Sequence, residues 1–178
     1  DSGFVAHTLK HVHGMNILGV TFAPFIYTDI GRRNFQAFVH SGFDVMAFFP
    51  NGLIHRKLAR LAFEYLGDPF QPFVYGQLAY PMNMAVRLHI PLVMFGENGE
   101  AEYSGDPRVY NLRGMPFDIW AEQYFKGIMV DDLIQYGLEQ TDYFTKKDYD
   151  ESDLLFYRPP DIEAMKKQGV EFHWFSYY

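Results

Sequence analysis

Four polar side chains in the middle of the chain could do chemistry together. Glu97, Asn98, Glu100 and Glu102 follow residues 90–95, an apolar run that is typical of a buried strand. Carboxylate and amide oxygens bind hard cations such as Mg²⁺ or orient a polar substrate. A solvated acidic loop is the alternative. The position after a strand favours a functional site, with Glu97 and Asn98 ahead of the other two.

The first two residues form a second candidate site. Asp1 and Ser2 open residues 2–13, whose apolar side chains have helical spacing, and Gly14 is placed to end that helix. Both residue types are favoured helix caps, and the free N–H groups of a helix N-terminus bind phosphate. The pair is therefore either an ordinary cap or part of a phosphate site.

Two more groups could contact an anionic or sugar ligand. Arg32 and Arg33 follow a second predicted helix start, at Thr28 or Asp29, and could hold a phosphate or carboxylate with paired hydrogen bonds. Solvent-facing arginines are the alternative.

Gly76 and Gln77 precede an amphipathic run. We expect them to open a helix whose N–H groups suit a sugar or phosphate, unless they form a plain turn. Tyr27, Tyr75 and Tyr80 could stack on a base or sugar, or pack in the core.

The elements around these residues predict an α/β fold with a doubly wound parallel sheet. Strands are expected at 16–23, 44–49 and 90–95, and helices at 28–41, 53–66 and 77–88, so the two types alternate. The carboxyl ends of such strands share one edge, where ligands bind. Residues 1–106 form the predicted core, 107–160 an insertion or lid, and 161–178 a closing helix and strand.

Composition narrows the class of protein. The formal net charge of −7 argues against nucleic-acid binding, and the chain has no cysteine for a disulfide or thiol chemistry. Its apolar runs are far shorter than a bilayer span. We expect a cytoplasmic protein with neither nucleic-acid nor membrane partners; the composition leaves its oligomeric state open.

Several runs of sequence resemble one known family. They are VTFAPFIYTDIGRRNF at 20–35, HSGFD at 40–44, PFQPFVYGQLAY at 69–80, FGENGEAEYSG at 95–105 and the closing PPDIEAMKKQGVEFHWFSYY. These runs are similar to the N-acetyl sugar amidotransferases of the PP-loop ATP-pyrophosphatase superfamily. FGEN-x-EAEY is the most specific of them, and the resemblance covers nearly the whole chain.

The resemblance implies an adenine-nucleotide alpha-hydrolase-like core and an ATP- and Mg²⁺-dependent reaction. ATP would adenylate the oxygen of a sugar N-acetyl group, and ammonia would displace AMP to leave an acetamidino group. The implied substrate is a nucleotide-linked N-acetyl sugar for O-antigen, lipopolysaccharide or flagellin glycans. The implied partner is a separate glutaminase and synthase pair, resembling that of histidine biosynthesis, which supplies ammonia.

The resemblance also implies roles for particular residues. Asp1 and Ser2 match the last two residues of an SGGKDS-type PP-loop, so a longer protein with the rest of the loop and a first strand is expected. Ser2 would contact phosphate, and Asp1 and Glu97 would hold Mg²⁺. The implied catalytic residues are Asp1, Ser2, Glu97 and Asn98; the nucleotide-binding residues are Ser2, Phe22, Ala23, Pro24 and Tyr27; the substrate-binding residues are Arg32, Arg33, Gly76, Gln77, Glu100, Glu102 and Tyr103.

Two other functions stay open. One is another PP-loop enzyme, such as a tRNA thiolase or lysidine-type ligase, although the acidic charge disfavours a tRNA substrate. The other is a nucleotide-binding module without catalysis.

Overall fold

The computed structural model describes residues 2–97, 107–125 and 127–178. Helices and strands alternate through the first half of the chain except between β2 and β3, where two helices follow one another, and the second half is mainly helical. The helices are α1 Ser2–His11, α2 Asp29–Val39, α3 Gly52–Leu66, α4 Gln71–Leu88, α5 Phe117–Tyr124, α6 Val130–Gln140, α7 Glu151–Leu154 and α8 Ile162–Gln168. The strands are β1 Leu18–Phe22, β2 Asp44–Phe48, β3 Leu92–Phe95 and β4 Glu171–Trp174, and a 3₁₀ turn Phe175–Tyr177 follows β4.

The strands pair in parallel, which confirms the α/β class. β1 pairs with β2, with Leu18 opposite Asp44 and Phe22 opposite Phe48. β3 pairs with β4, with Leu92 opposite Glu171. The described strands therefore form two sheets of two strands each rather than one sheet. Among these residues β3 pairs with β4 and not with β1 or β2, so the expected single doubly wound sheet stays a prediction.

Helix α4 connects the two sheets from one side, since it packs against both β1 and β3. Its contact with β1 is close because Gly76 has no side chain. A Cβ added there would lie 2.3 Å from the Phe22 ring. This helix buries most of its length, including Tyr75, Ala79 and Met82.

The core continues into the second half of the chain. Trp120, Phe125, Leu133 and Tyr157 are fully buried and belong to the same apolar cluster as Leu58 of α3. Helix α6 packs directly on α3. Residues 107–160 thus contribute side chains to the common core, and their description as an insertion or lid stays a prediction.

Two expected elements differ in length. Helix α4 begins at Gln71 rather than Gln77, because Pro72 falls in its first turn, where proline is compatible with a helix. Strand β4 ends at Trp174, where the chain turns into the 3₁₀ helix. The short helix α7 was not expected. Within the described part of the chain, no helix is long and apolar enough to cross a membrane.

Candidate functional site

The strands of both sheets run in the same direction relative to α1. Phe4, in the first turn of α1, contacts Phe175, which directly follows β4, with ring centroids 6.0 Å apart. Lys10, near the end of α1, bonds the Gly42 carbonyl and lies 5.0 Å from the Phe43 ring, just before β2. Helix α1 therefore runs antiparallel to both sheets, and its N-terminus lies at the carboxyl edge of the β3–β4 sheet.

Ser2 and Glu97 lie at this edge. Ser2 is the first residue of α1 and is exposed, and the N–H groups of a first helical turn have no partner within the helix. Glu97 is exposed two residues after β3. Asp1, Asn98, Glu100, Glu102 and Tyr103 were predicted to complete this site, and they lie outside the described residues.

The residues after β1 occupy varied environments. Phe22 is a core residue, and the Ala23 N–H donates to the Phe48 carbonyl at 2.9 Å, which extends the parallel pairing by one residue. Pro24 is half-buried. Tyr27 is partly buried beside Phe35, and burial raises the pKa of its hydroxyl. Of these nucleotide-site candidates, Pro24 and Tyr27 offer side-chain surface, and Phe22 does not.

The start of α2 is well defined. Thr28 is the N-cap, and its hydroxyl accepts from the Gly31 N–H at 3.0 Å, so Thr28 rather than Asp29 caps the helix. Arg32 and Arg33 follow on the first two turns and are exposed. Arg33 donates to the Asp29 carbonyl of its own helix at 3.4 Å. Both guanidinium groups remain accessible to an anion.

The prediction that Gly76 and Gln77 open a helix is wrong. Both lie inside α4, where backbone N–H groups bond within the helix and are not available to a ligand. Gly76 is buried under Phe22, and Gln77 points to solvent. Tyr75 and Tyr80 are core residues. Tyr75 stacks on Phe125 at 5.5 Å and donates to the Ile128 carbonyl.

A buried polar pair at the β1–β2 edge was missed by the sequence analysis. His55, in the first turns of α3, is 6% exposed, and its Nδ1 lies 2.7 Å from the Tyr157 hydroxyl. Phe25 packs over the imidazole with ring centroids 4.2 Å apart. Burial lowers the pKa of His55 to about 4, so the ring is neutral near pH 7. Burial also raises the pKa of Tyr157.

Two more contacts join the beginning of α3 to the same distant segment. The Asn51 side chain caps α3 by accepting from the Leu53 N–H, and it donates to Asp153 at 3.1 Å. Lys57 forms an ion pair with Asp148 at 2.5 Å. Residues 148–157 are thereby held beside the carboxyl edge of β1 and β2.

Two other features bear on ligand binding. Residues 2–97, 107–125 and 127–178 contain no group of three or more histidine, aspartate or glutamate side chains placed to hold a metal. A cavity of about 540 Å³ lies between the end of α1 and the β3–β4 sheet, lined in part by Leu9, His13, Leu92 and His173. Of the predicted site residues that the structure describes, none lines this cavity.

No model of a known protein family matches the chain, and no curated protein matches it significantly.

Proposed function

We propose that this chain forms part of an ATP-dependent amidotransferase that converts a sugar N-acetyl group to an acetamidino group. The observation that carries the proposal is a shared edge. The N-terminus of α1 and the carboxylate of Glu97 lie at the same edge of the β3–β4 sheet, where parallel α/β folds bind ligands. A helix N-terminus suits a phosphate anion, and a nearby carboxylate suits its counter-cation.

The proposed fold is a single doubly wound PP-loop sheet. The pairwise parallel strands support it, as does the packing of α4 on β1 and β3, each of which has one unpaired edge among the described residues. Most residues of these two apolar strands are only half-buried, whereas parallel strands are normally covered. One further parallel strand between β1 and β3 would join the two sheets.

Glu97 and the start of α1 carry groups that fit a Mg²⁺–ATP substrate. Magnesium takes one or two protein carboxylates beside phosphate oxygens and water, and Glu97 offers one exposed carboxylate. When bound, the cation would neutralise phosphate charge. The α1 N–H groups and Ser2 would orient the phosphates, and Arg32 or Arg33 could hold the phosphates of a nucleotide-linked sugar.

The proposed reaction has two steps. The amide oxygen of the N-acetyl group attacks the α-phosphorus of ATP, and pyrophosphate leaves. Ammonia, supplied by a partner glutaminase and synthase pair, then attacks the amide carbon, and AMP leaves with the oxygen. This chain's contribution is positioning of the phosphates and electrostatic stabilisation of their charge.

The test measures AMP formation by the protein that carries this sequence, with ATP, Mg²⁺, ammonia and a UDP-linked N-acetyl sugar. Removing a preorganised donor or charge costs on the order of a hundredfold in rate, so Ser2→Ala and Glu97→Gln should each slow AMP formation by about that factor. Asp1→Asn should do the same.

Asp44→Asn is the matched control, because Asp44 is an exposed carboxylate at the amino end of β2, on the opposite edge. It should leave the rate unchanged. Wild-type AMP formation in both Ser2→Ala and Glu97→Gln would contradict the proposed site. ATP binding without AMP formation in the wild-type protein would favour the nucleotide-binding module.

A further inference from the structure

Five large apolar side chains are exposed together at the carboxyl edge of β1 and β2. We define the apolar patch as Phe25, Ile26, Ile30, Phe49 and Leu53, whose exposed fractions run from 46% to 88%. A large apolar side chain presents on the order of 200 Å² when fully exposed. The patch therefore amounts to roughly 600 Å², the upper end of what a monomeric protein exposes.

Contacts and strand register make the patch continuous. The Phe25 ring lies against Gly52, which precedes Leu53, with 3.5 Å to the position of an added Cβ. Phe49 directly follows β2, and the pairing of Ala23 with Phe48 sets it beside the segment that carries Phe25 and Ile26. Ile30 is exposed in the first turn of α2, four residues after Ile26.

The two ends of the patch carry opposite charge. Next to Ile30, Arg32 and Arg33 are exposed together with the carboxylate of Asp29, which leaves this end with one net positive charge. Neither arginine pairs with a carboxylate within the described ranges. Next to Leu53, the Asn51 side chain bonds Asp153, which belongs to a carboxylate-rich end. That end holds Asp131, Asp150, Glu151 and Asp153 against the two cations Arg56 and Arg158.

We propose that the apolar patch is the interface of a two-fold symmetric dimer of this chain. A two-fold axis that lies in the plane of the patch and is perpendicular to the line joining its two ends places the arginine end of one copy opposite the carboxylate end of the other, twice. A surface that is apolar in the centre and oppositely charged at its ends is thus complementary to itself. The patch and its charged rim together approach the roughly 800 Å² per partner of a stable interface.

The dimer interface shares Arg32 and Arg33 with the proposed sugar-binding residues but uses neither Ser2 nor Glu97. Ser2 and Glu97 lie at the carboxyl edge of the β3–β4 sheet, whereas the patch lies at that of the β1–β2 sheet. The dimer can therefore form whether or not Ser2 and Glu97 bind a nucleotide.

The first test is the oligomeric state of the chain by sedimentation velocity over a range of concentrations, at about 0.15 M salt to screen the net charge. We expect a concentration-dependent dimer. Ile26→Asp should raise the dimer dissociation constant about tenfold or more, because it removes buried apolar area and adds a charge. Val12→Asp, at an exposed valine just after α1, is the control and should leave the constant unchanged.

The second test exploits the charge pattern. Arg32→Glu/Arg33→Glu makes both ends acidic, and Asp150→Lys/Glu151→Lys makes both ends basic, so each variant should be monomeric. Mixing the two variants should restore a dimer of one copy of each, because both end contacts become attractive. Circular dichroism checks that each variant is folded.

The restored mixed dimer separates this interface from any other, since a merely misfolded variant could not be rescued by its counterpart. A wild-type chain that stays monomeric at every concentration would overturn the proposal, as would a dimer that survives Ile26→Asp. A monomer that binds an unrelated protein through the patch would assign the surface to a different partner and also overturn it.

Discussion

Replacing His55 tests how much the free energy of unfolding depends on keeping the buried His55 imidazole neutral. Burial lowers the pKa of His55 from 6.5 to about 4 in the folded chain. The unfolded chain takes up a proton on this residue as the pH falls below 6.5, whereas the folded chain does so only near pH 4. The stability that comes from keeping His55 neutral is complete above about pH 6.5, and it is lost progressively down to about pH 4.

The magnitude follows from the two pKa values. Between about pH 7.5 and about pH 5, the difference in proton uptake lowers the free energy of unfolding by about 2 kcal/mol. Urea denaturation at both pH values measures this loss. Between the same two pH values, the free energy of unfolding of His55→Gln should fall by about 2 kcal/mol less than that of the wild type. The other titrating groups are the same in both proteins, so their contributions cancel in the difference.

A second variant separates the effect of burial on the His55 pKa from the effect of its hydrogen bond. Tyr157→Phe removes the hydroxyl that contacts Nδ1 and leaves the imidazole buried, so it should keep most of the pH dependence. Equal pH dependence in wild type and His55→Gln would refute the reasoning, because it would mean that His55 titrates alike in the folded and unfolded chain.

Two further substitutions test the packing that positions the edge. Gly76→Ala should destabilise the chain by about 1–3 kcal/mol in urea denaturation despite its better helix propensity, because the new methyl overlaps the Phe22 ring. Gly3→Ala in α1, where the nearest atom is 3.9 Å away, should be neutral or stabilising, and an equal effect at both sites would contradict this account. Asn83→Ala should cost about 1–3 kcal/mol by thermal unfolding, because its buried amide donates to the Ala79 and Arg158 carbonyls. Asn34→Ala on the exposed face of α2 should change stability by no more than about 0.5 kcal/mol, so a comparable loss there would count against a specific role for Asn83.

Much of the backbone could be predicted from local patterns. Strands β1, β2 and β3 lie within the apolar runs that predicted them, because short apolar segments bounded by glycine or proline leave few alternatives. The start of α4 could not be predicted, because Pro72 disfavours a helix interior but is compatible with its first turn. The pairing of β3 with β4 rather than β2 is a non-local choice that no local pattern encodes.

The polar site at the β1–β2 edge was beyond sequence reasoning for the same reason. His55 occupies the buried stripe of α3 with Ile54 and Leu58, and a histidine in an apolar stripe was the one available signal. Its partner Tyr157 lies 102 positions away, and nothing in the sequence connects the two. Arg32 and Arg33, by contrast, were predicted at an exposed helix start and are accessible there.

Residues 148–157, about a hundred positions further along the chain, hold the β1–β2 edge in place, so changes in that segment can affect the edge. Asn51, His55 and Lys57 on the first turns of α3 each contact one residue in the segment 148–157. Phe25, in the loop after β1, packs against the His55 ring, so the position of this loop depends on those contacts. A substitution that loosens residues 148–157 therefore disturbs the apolar patch without touching it. The β3–β4 edge, with Ser2 and Glu97, has no described contact with this segment. Loss of dimerisation without loss of AMP formation in such a variant would show that the two edges act independently.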